Sequence, residues 1–326
     1  MRAVAAVAMA AMLLYPWPQT IAQPASAQCG PQSGAIGVSR VVEIDTSNGP
    51  RFGHLQYKDI DFLRDGEVVL TFDDGPSRQH TPPVLAALDA HCTKATFFSV
   101  GRMAISDPEM LRETARRGHT IGTHTWSHRN IATLSPAAAR QEIELGISAV
   151  QAALGKPVAP FFRFPYLSDP KSAQAMLQER DIGIFSIDAD SYDYRTPSGA
   201  VIQRNIIQQL TSRKKGIILF HDIQASTARG LKGLLDELKE RDFRVVHIVA
   251  KNPIATVAEF DAIADQAMSK KQIASSASPL AKRSVVWPVA EAPAPATVTP
   301  EPPPAPARTV RPADEDDWKA KVFGRR

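Results

Sequence analysis

Residues 68–76 read VVLTFDDGP, and this short stretch decides the fold that we predict for the chain. Its first five residues are apolar or β-branched and are typical of a strand. The strand ends in Asp73 and Asp74, followed by a Gly-Pro turn. Adjacent residues that leave a strand point in different directions, so one carboxylate can bind a cation while the other accepts a proton from water. An Asp-Gly turn with a capping role explains the same letters, and the rest of the chain decides between the two interpretations.

Strand-length runs alternate with helical patterns from residue 67 to residue 249. Repeated β-then-α units of this kind indicate an α/β fold with a mainly parallel sheet, open or closed into a barrel. In either architecture, functional side chains collect at the carboxyl ends of the strands. The predicted strands are 68–72, 95–100, 120–123, 161–164, 182–187, 217–220 and 244–248, and the predicted helices are 82–91, 108–117, 135–154, 171–180, 201–210 and 231–240.

The N-terminal part of the chain differs from this α/β region. Residues 1–27 contain a basic start, the apolar run 3–14 and a small-x-small site, so we expect a signal peptide and an exported protein, periplasmic or secreted. None of the apolar runs is long enough for a transmembrane segment. Residues 28–66 are interpreted as an N-terminal extension. Export permits a disulfide between Cys29 and Cys92, but two separate thiols fit the sequence equally well.

The C-terminal part carries the charge and much of the proline excess. The chain is 326 residues long, 44% hydrophobic, and has a formal net charge of +4. Residues 270–326 hold ten Lys or Arg against six Asp or Glu, and residues 279–312 hold ten prolines. We therefore expect 251–326 to be a linker and a disordered Pro/Ala-rich tail. The balanced charge of residues 1–269 argues against a nucleic-acid partner and leaves contact between the tail and an anionic cell-wall or membrane surface as a hypothesis.

Two histidines follow the predicted strand 120–123. His124 and His128 are four residues apart, which places both imidazoles on one face of a helical turn. With a carboxylate from the Asp-Asp pair they form a two-His, one-carboxylate set that can hold a divalent metal ion. Zn²⁺ is favoured by availability, and Co²⁺, Ni²⁺, Mn²⁺ and Fe²⁺ also accept these ligands. Trp126, between the two histidines, either stacks on a ligand or packs locally.

Three more predicted strands end in polar residues. Arg163 and Tyr166 belong to an Arg-Phe-Pro-Tyr turn, residues 188–194 form an acidic segment, and His221 follows Leu219 and a phenylalanine. A histidine at a strand end, held and charged by an aspartate, is a candidate general acid. The sequence thus places five groups of side chains that can ligate a metal or transfer a proton at the carboxyl ends of predicted strands.

Taken in order, these five segments resemble the five motifs of the polysaccharide deacetylase family, also called the NodB homology domain or carbohydrate esterase family 4. The resemblance covers roughly residues 67–249 and includes stretches between the motifs, such as TPPVL at 81–85 and ATFF at 95–98. It implies a distorted, incomplete (β/α) barrel with a divalent metal ion in a surface groove. We therefore expect residues 67–250 to form the catalytic domain.

The resemblance also implies a role for each residue of the site. The expected roles are Asp73 as the catalytic base; Asp74, His124 and His128 as metal ligands; His221 as the catalytic acid; Arg163 as the partner of Asp73; Tyr166 as a backbone N–H donor to the oxyanion; and Leu219 as lining for the substrate methyl group.

An aspartate of the fourth segment is expected to orient His221. We choose Asp193, with Asp190 and Asp188 as the alternatives. The family usually shows Asp-Trp at this point, whereas this chain has a tyrosine after Asp193, so Tyr194 is the expected wall of the acetyl pocket.

These roles imply an exported, metal-dependent hydrolase that removes acetyl groups from the N-acetylated amino sugars of a polysaccharide. The same residues also serve an esterase that acts on O-acetyl groups of a glycan, or an enzyme that removes formyl groups from amino sugars. A catalytically silent glycan-binding or wall-binding protein is the alternative outside enzymes. The sequence does not name the glycan.

Overall fold

The computed structural model describes Cys29 and residues 34–58 and 60–276. The predicted signal peptide and the proline-rich tail lie outside the described residues. The strands are β1 (Arg40–Ile44), β2 (Arg51–Phe52), β3 (Glu67–Asp74), β4 (Thr96–Ser99), β5 (Thr120–Thr123), β6 (Phe161–Phe162), β7 (Gly183–Phe185), β8 (Ala189–Asp190), β9 (Gly216–His221) and β10 (Arg244–Ala250). The α-helices are α1 (Thr81–Ala90), α2 (Gly101–Ser106), α3 (Pro108–Arg116), α4 (Pro136–Leu154), α5 (Lys171–Glu179), α6 (Gly199–Arg213), α7 (Ala225–Glu240) and α8 (Ala258–Ser276).

The sheet is parallel and curves into a barrel that is not fully closed. β3 pairs with β4 on one side and with β9 on the other, and the sheet continues from β4 through β5 and β6 to β7. β8 follows β7 in the chain and pairs with β9, but no ladder joins β8 to β7 among the described residues, so the barrel is open at this point. β10 and β1 extend the sheet from the start of β3. This arrangement confirms the predicted α/β class and the distorted, incomplete (β/α) barrel.

β3 is buried along its whole length, because both of its faces are covered. Leu70 and Phe72 point into the core between the sheet and the helices, while Val69 packs with Phe98 and Phe161 in a second apolar cluster. Two packed faces explain why this strand is a continuous apolar run and lacks the alternation of a half-exposed strand.

The register of β3 sets the position of the polar residues. Asp73 lies directly beside His221 of β9, and the last residue of β3, Asp74, lies beside the last residue of β4. The carboxyl ends of these parallel strands therefore bring the predicted base and the predicted acid to the same end of the barrel.

Folded elements also lie on both sides of the range 67–250. β1 pairs with β10 and β2 pairs with β7, so part of the predicted extension belongs to the sheet. Within the predicted linker, α8 packs on α4 and buries Phe260, Ala264 and Met268. These three residues recur at four-residue intervals, a spacing typical of a helix, although the range was predicted to be a linker.

Two further predictions about the chain are answered by the described residues. Cys29 and Cys92 form a disulfide, with a Cα–Cα distance of 5.6 Å, so pairing is the correct alternative. Within residues 34–58 and 60–276, no helix is both long and apolar enough to cross a membrane.

Candidate metal and catalytic site

Three predicted metal ligands meet at the carboxyl ends of β3 and β5. The Nε2 atom of His128 lies 3.2 Å from Oδ1 of Asp74, and the Nε2 atom of His124 lies 3.5 Å from it. Both carboxylate oxygens of Asp74 are buried without a hydrogen-bond partner among the described residues. A buried, unpartnered carboxylate is costly, and a cation would remove that cost. One carboxylate and two imidazoles within 4.8 Å of one another suit a divalent metal such as Zn²⁺.

The carbonyl oxygen of Arg163 orients the first imidazole. It lies 2.7 Å from Nδ1 of His124, so this nitrogen carries the proton and Nε2 keeps its lone pair on the side of Asp74. Burial, reinforced by the charge of His128, lowers the pKa of His124 well below its ordinary value. The imidazole is therefore neutral, which is the form that binds a metal ion.

The loop that carries both histidines is irregular, which corrects the prediction of a helical turn. Thr125 and His128 have positive φ angles of 66° and 60°. The hydroxyl of Thr125 accepts a hydrogen bond from the N–H of His128 at 3.0 Å. The imidazoles converge because the loop folds back on α4 and not because of a helical repeat.

Glu142 of α4 holds this loop and was not among the predicted site residues. Its buried carboxylate accepts hydrogen bonds from the N–H of Ser127 at 2.9 Å and from the hydroxyl of Ser127 at 2.7 Å. Gly146 permits the close approach, because a Cβ atom there would lie 2.4 Å from the carbonyl carbon of Thr125. In the sequence, a glycine inside a long predicted helix is the feature that indicates a close contact at this point.

Trp126 lies in the same loop and packs locally. Its ring would touch a Cβ atom at Gly101, and its backbone N–H donates to the backbone carbonyl oxygen of Glu142 at 2.7 Å. The local-packing interpretation of Trp126 therefore agrees with its position.

Asp73 and Arg163 form a buried ion pair beside the three ligands. Nη1 of Arg163 donates to Oδ1 of Asp73 and to the hydroxyl of Thr71, each at 2.8 Å. The same guanidinium donates to the carbonyl oxygens of Phe185 and Ser186 at 3.1 Å. A fully buried arginine requires this degree of pairing, because an uncompensated charge costs several kcal/mol.

Burial sets the pKa of Asp73 above that of an ordinary aspartate. Burial raises it, the charges of Arg163 and His221 oppose the rise, and the charge of Asp74 adds to it, which leaves a pKa of about 6. A carboxylate with a pKa near neutrality is a better proton acceptor than an ordinary aspartate.

Asp193 is the aspartate that contacts His221. Its Oδ1 lies 2.7 Å from Nδ1 of the imidazole, and its Oδ2 accepts from the backbone N–H of His221 at 2.7 Å. The hydroxyl of Thr227 also donates to Oδ2. The two alternative aspartates are engaged elsewhere, since Asp188 accepts from the N–H groups of residues 54 and 217 and Asp190 accepts from the N–H of residue 192.

The surroundings keep His221 protonated. Burial lowers its pKa, but the charge and hydrogen bond of Asp193, together with the charges of Asp74 and Asp73, outweigh burial and raise the pKa to about 10. With Nδ1 donating to Asp193, the second imidazole nitrogen carries the proton that can be transferred.

Removing the charge of Asp193 should move the alkaline limit of any activity that needs protonated His221. In Asp193→Asn the attraction for the imidazolium is weakened, so His221 loses its proton at a lower pH. We expect the alkaline limb of the kcat/KM profile to shift to lower pH by at least about one unit, the size of a typical ion-pair effect. Asp190→Asn is the matched control and should shift it less. An unchanged limb in Asp193→Asn, or a larger shift in Asp190→Asn, would contradict this pairing.

A groove of about 270 Å³ opens over these residues. Asp74, Arg163 and Asp193 stand behind the lining and are buried. The predicted site residues that line the groove are Asp73, His124, His128, Tyr166, Tyr194, Leu219 and His221.

Two tyrosines flank the groove. Tyr166 has a φ of 60° and its ring centroid lies 4.8 Å from that of His128. Tyr194 stands edge-on to His221 at 5.6 Å between centroids, in the position where the family usually has tryptophan. A smaller aromatic residue therefore occupies the expected place beside the histidine.

Comparisons with known proteins agree with this geometry. The family model described as polysaccharide deacetylase matches residues 63–184. The chitooligosaccharide deacetylase of Azorhizobium caulinodans is 34% identical over 163 residues, which cover 48% of this chain and 73% of that protein. The peptidoglycan-N-acetylglucosamine deacetylase PgdA of Listeria monocytogenes is 31% identical over 184 residues, which cover 56% of this chain but only 38% of that protein.

A solved structure shows the same fold. The peptidoglycan deacetylase of Bdellovibrio bacteriovorus superposes with a TM-score of 0.60 and 35% sequence identity, over 66% of this chain and 59% of that one. The family match, the identity to a relative most of whose length is covered and the shared barrel all agree with the five ordered motifs. The chain belongs to the polysaccharide deacetylase family.

Proposed function

We propose that the protein is a metal-dependent hydrolase that removes acetyl groups from the N-acetylated amino sugars of a polysaccharide. The observation that carries this proposal is a groove with a buried Asp74-His124-His128 cluster, with a proton acceptor, Asp73, and a proton donor, His221, on its lining. Zn²⁺ is the ion that we favour. The names of the relatives, which act on peptidoglycan and on chitooligosaccharides, support an acetylated amino-sugar polymer as the substrate.

The proposed reaction has two proton transfers, one to Asp73 and one from His221. When bound, a divalent ion supplies a positive charge that polarises the acetyl carbonyl and lowers the pKa of water toward about 7. Asp73, held by Arg163, accepts the proton of the attacking water. The backbone N–H of Tyr166 donates to the developing oxyanion, a contribution of about 3 kcal/mol for a well-placed donor. His221 then protonates the leaving amine nitrogen.

The protonated His221 favours an amide substrate over an ester. An amine that leaves without a proton must leave as a strongly basic anion, whereas an alkoxide leaves more readily. Asp193 helps to raise the pKa of His221 to about 10, so the imidazole is protonated at neutral pH. Such a histidine can donate a proton to the leaving amine and is therefore suited to amide hydrolysis. Leu219, buried at the edge of the groove, is proposed to contact the acetyl methyl group.

We also propose that residues 67–250 form the catalytic domain and that the protein is exported. Each residue assigned to the site lies between Asp73 and His221, within that range. The Cys29–Cys92 disulfide supports an oxidising compartment, since such bonds persist mainly outside the cytosol. The signal peptide predicted for residues 1–27 agrees with export.

Acetate release from a panel of polymers tests this function. The full chain, loaded with Zn²⁺, should release acetate from peptidoglycan or chitooligosaccharides and lose this activity on chelation. Release from O-acetylated xylan alone would identify an esterase, and formate release from formylated amino sugars would identify a deformylase. Stoichiometric metal without any product would identify a silent glycan-binding protein.

A further inference from the structure

Among the described residues, the side chain of Arg195 on the groove has aromatic rings as its only partners. The guanidinium carbon of Arg195 lies 5.3 Å from the ring centroid of Tyr192 and 5.2 Å from that of Tyr194. Its side chain is exposed and lines the groove. No carboxylate among the described residues forms an ion pair with it, whereas Asp73 and His221, which also line the groove, each have a charged partner.

The stacking prepares Arg195 to bind an anion. A guanidinium presents several N–H donors in one plane, in a geometry that matches the two oxygens of a carboxylate. Contact with two aromatic rings restricts the side chain before a ligand arrives, so less conformational entropy is lost on binding. The aromatic faces leave the N–H groups at the edge of the plane available to a ligand.

The position of the arginine indicates which part of a substrate it meets. Tyr194 contacts both the guanidinium of Arg195 and, edge-on, the ring of His221. A group that binds Arg195 therefore lies to one side of the acetamide that reacts near His221. In a polysaccharide, that position belongs to a substituent or a neighbouring sugar unit.

We propose that Arg195 binds a carboxylate of the substrate, so that the preferred polymer is an anionic amino-sugar glycan and not a neutral one. This inference rests on the deacetylase function proposed above. In peptidoglycan the carboxylate comes from one of two sources, the free lactyl group of a muramic sugar without a peptide, or the carboxylates of the peptide where one is joined to that group. A chitin-type polymer has neither.

The test compares three substrates with four proteins. Acetate release is measured for peptide-free glycan strands, for peptide-bearing peptidoglycan fragments and for neutral chitooligosaccharides. The wild type is compared with Arg195→Gln, Arg195→Lys and Arg241→Gln. Arg241→Gln is the control, because it also removes the charge of an exposed arginine. Arg241 lies just after α7, where it pairs with Glu237.

In Arg195→Gln, the ratio of kcat/KM on the anionic polymer to that on the neutral one should fall about ten-fold, the effect of losing a charge-assisted hydrogen bond. Arg195→Lys should restore much of the ratio, and Arg241→Gln should leave it unchanged. A loss confined to peptide-bearing fragments assigns the carboxylate to the peptide, and a loss on peptide-free strands assigns it to the lactyl group.

An equal loss on the anionic and the neutral substrates would overturn the inference, because it would mean that Arg195 only supports Tyr194. A ratio that stays constant in Arg195→Gln would overturn it as well. These outcomes differ from a failure of the proposed function, in which the metal-loaded wild type releases acetate from none of the three polymers.

Discussion

His128→Ala should lose bound metal and turnover together. The variant keeps the buried Asp74 carboxylate but removes the imidazole that lies 3.2 Å from it, so the ligand set falls to one carboxylate and one histidine. Zinc sites need at least three protein ligands for tight binding. We expect substoichiometric metal by elemental analysis after dialysis, and a fall in kcat/KM of at least about 10³-fold, since several kcal/mol of transition-state stabilisation are removed.

His80→Ala is the matched control for this variant. His80 precedes α1 and is not among the residues that line the groove, so its removal should leave metal content and turnover close to those of the wild type. Circular dichroism and a thermal melt should show that both variants are folded. Full turnover of His128→Ala without bound metal would refute the assignment of Asp74, His124 and His128 as a metal site.

His221→Ala should keep its metal and lose most of its turnover. The side chain belongs to β9, on the opposite side of β3 from β5, and is outside the three-residue cluster. Metal content should therefore equal that of the wild type. Because the leaving amine then departs without a proton, kcat on an N-acetylated oligosaccharide should fall about 10³-fold, within the usual range for a general acid.

The leaving group distinguishes a proton donor from a structural residue. In His221→Ala the loss should be much smaller on an acetate ester with an acidic alcohol, because this leaving group needs no proton. The same variant should retain an intact barrel by thermal melt. A loss of bound metal, or equal losses on the amide and on the activated ester, would show that His221 does not act as the acid.

Local patterns were sufficient for most of the barrel. The apolar run of β3 and the Asp73-Asp74 pair that ends it follow from neighbouring residues, and so does the long helix α4 behind its serine cap. Shorter or less regular elements escaped prediction. β8 has two residues, and α2 follows β4 with one residue between them. Elements of this length carry too little periodicity to be distinguished from loop.

The candidate site also contains residues that the sequence predicted and residues that it did not. The sequence named most of the residues that line the groove, because they stand at or just after the ends of predicted strands, but it did not name Arg195. It did not identify Glu142, whose position on α4 resembles that of any exposed helical glutamate until the loop from His124 to His128 folds against it. The helical turn predicted for that loop was wrong, because the hydrogen bonds to Glu142 and Thr125 select a left-handed backbone there.

The sequence by itself determined the alternation of strands and helices, the family and the order of the chemical groups, since all three are properties of neighbouring residues along the chain. Only the tertiary structure decided that Asp193 and not Asp190 holds His221, that Cys29 pairs with Cys92, and that Arg195 lies over two tyrosine rings on the groove. The first two are distances between residues that are far apart in the chain, and the third depends on how the loop after β8 turns. The pairing of strands in the sheet and the packing of the helices around it set these distances, and no local pattern encodes them.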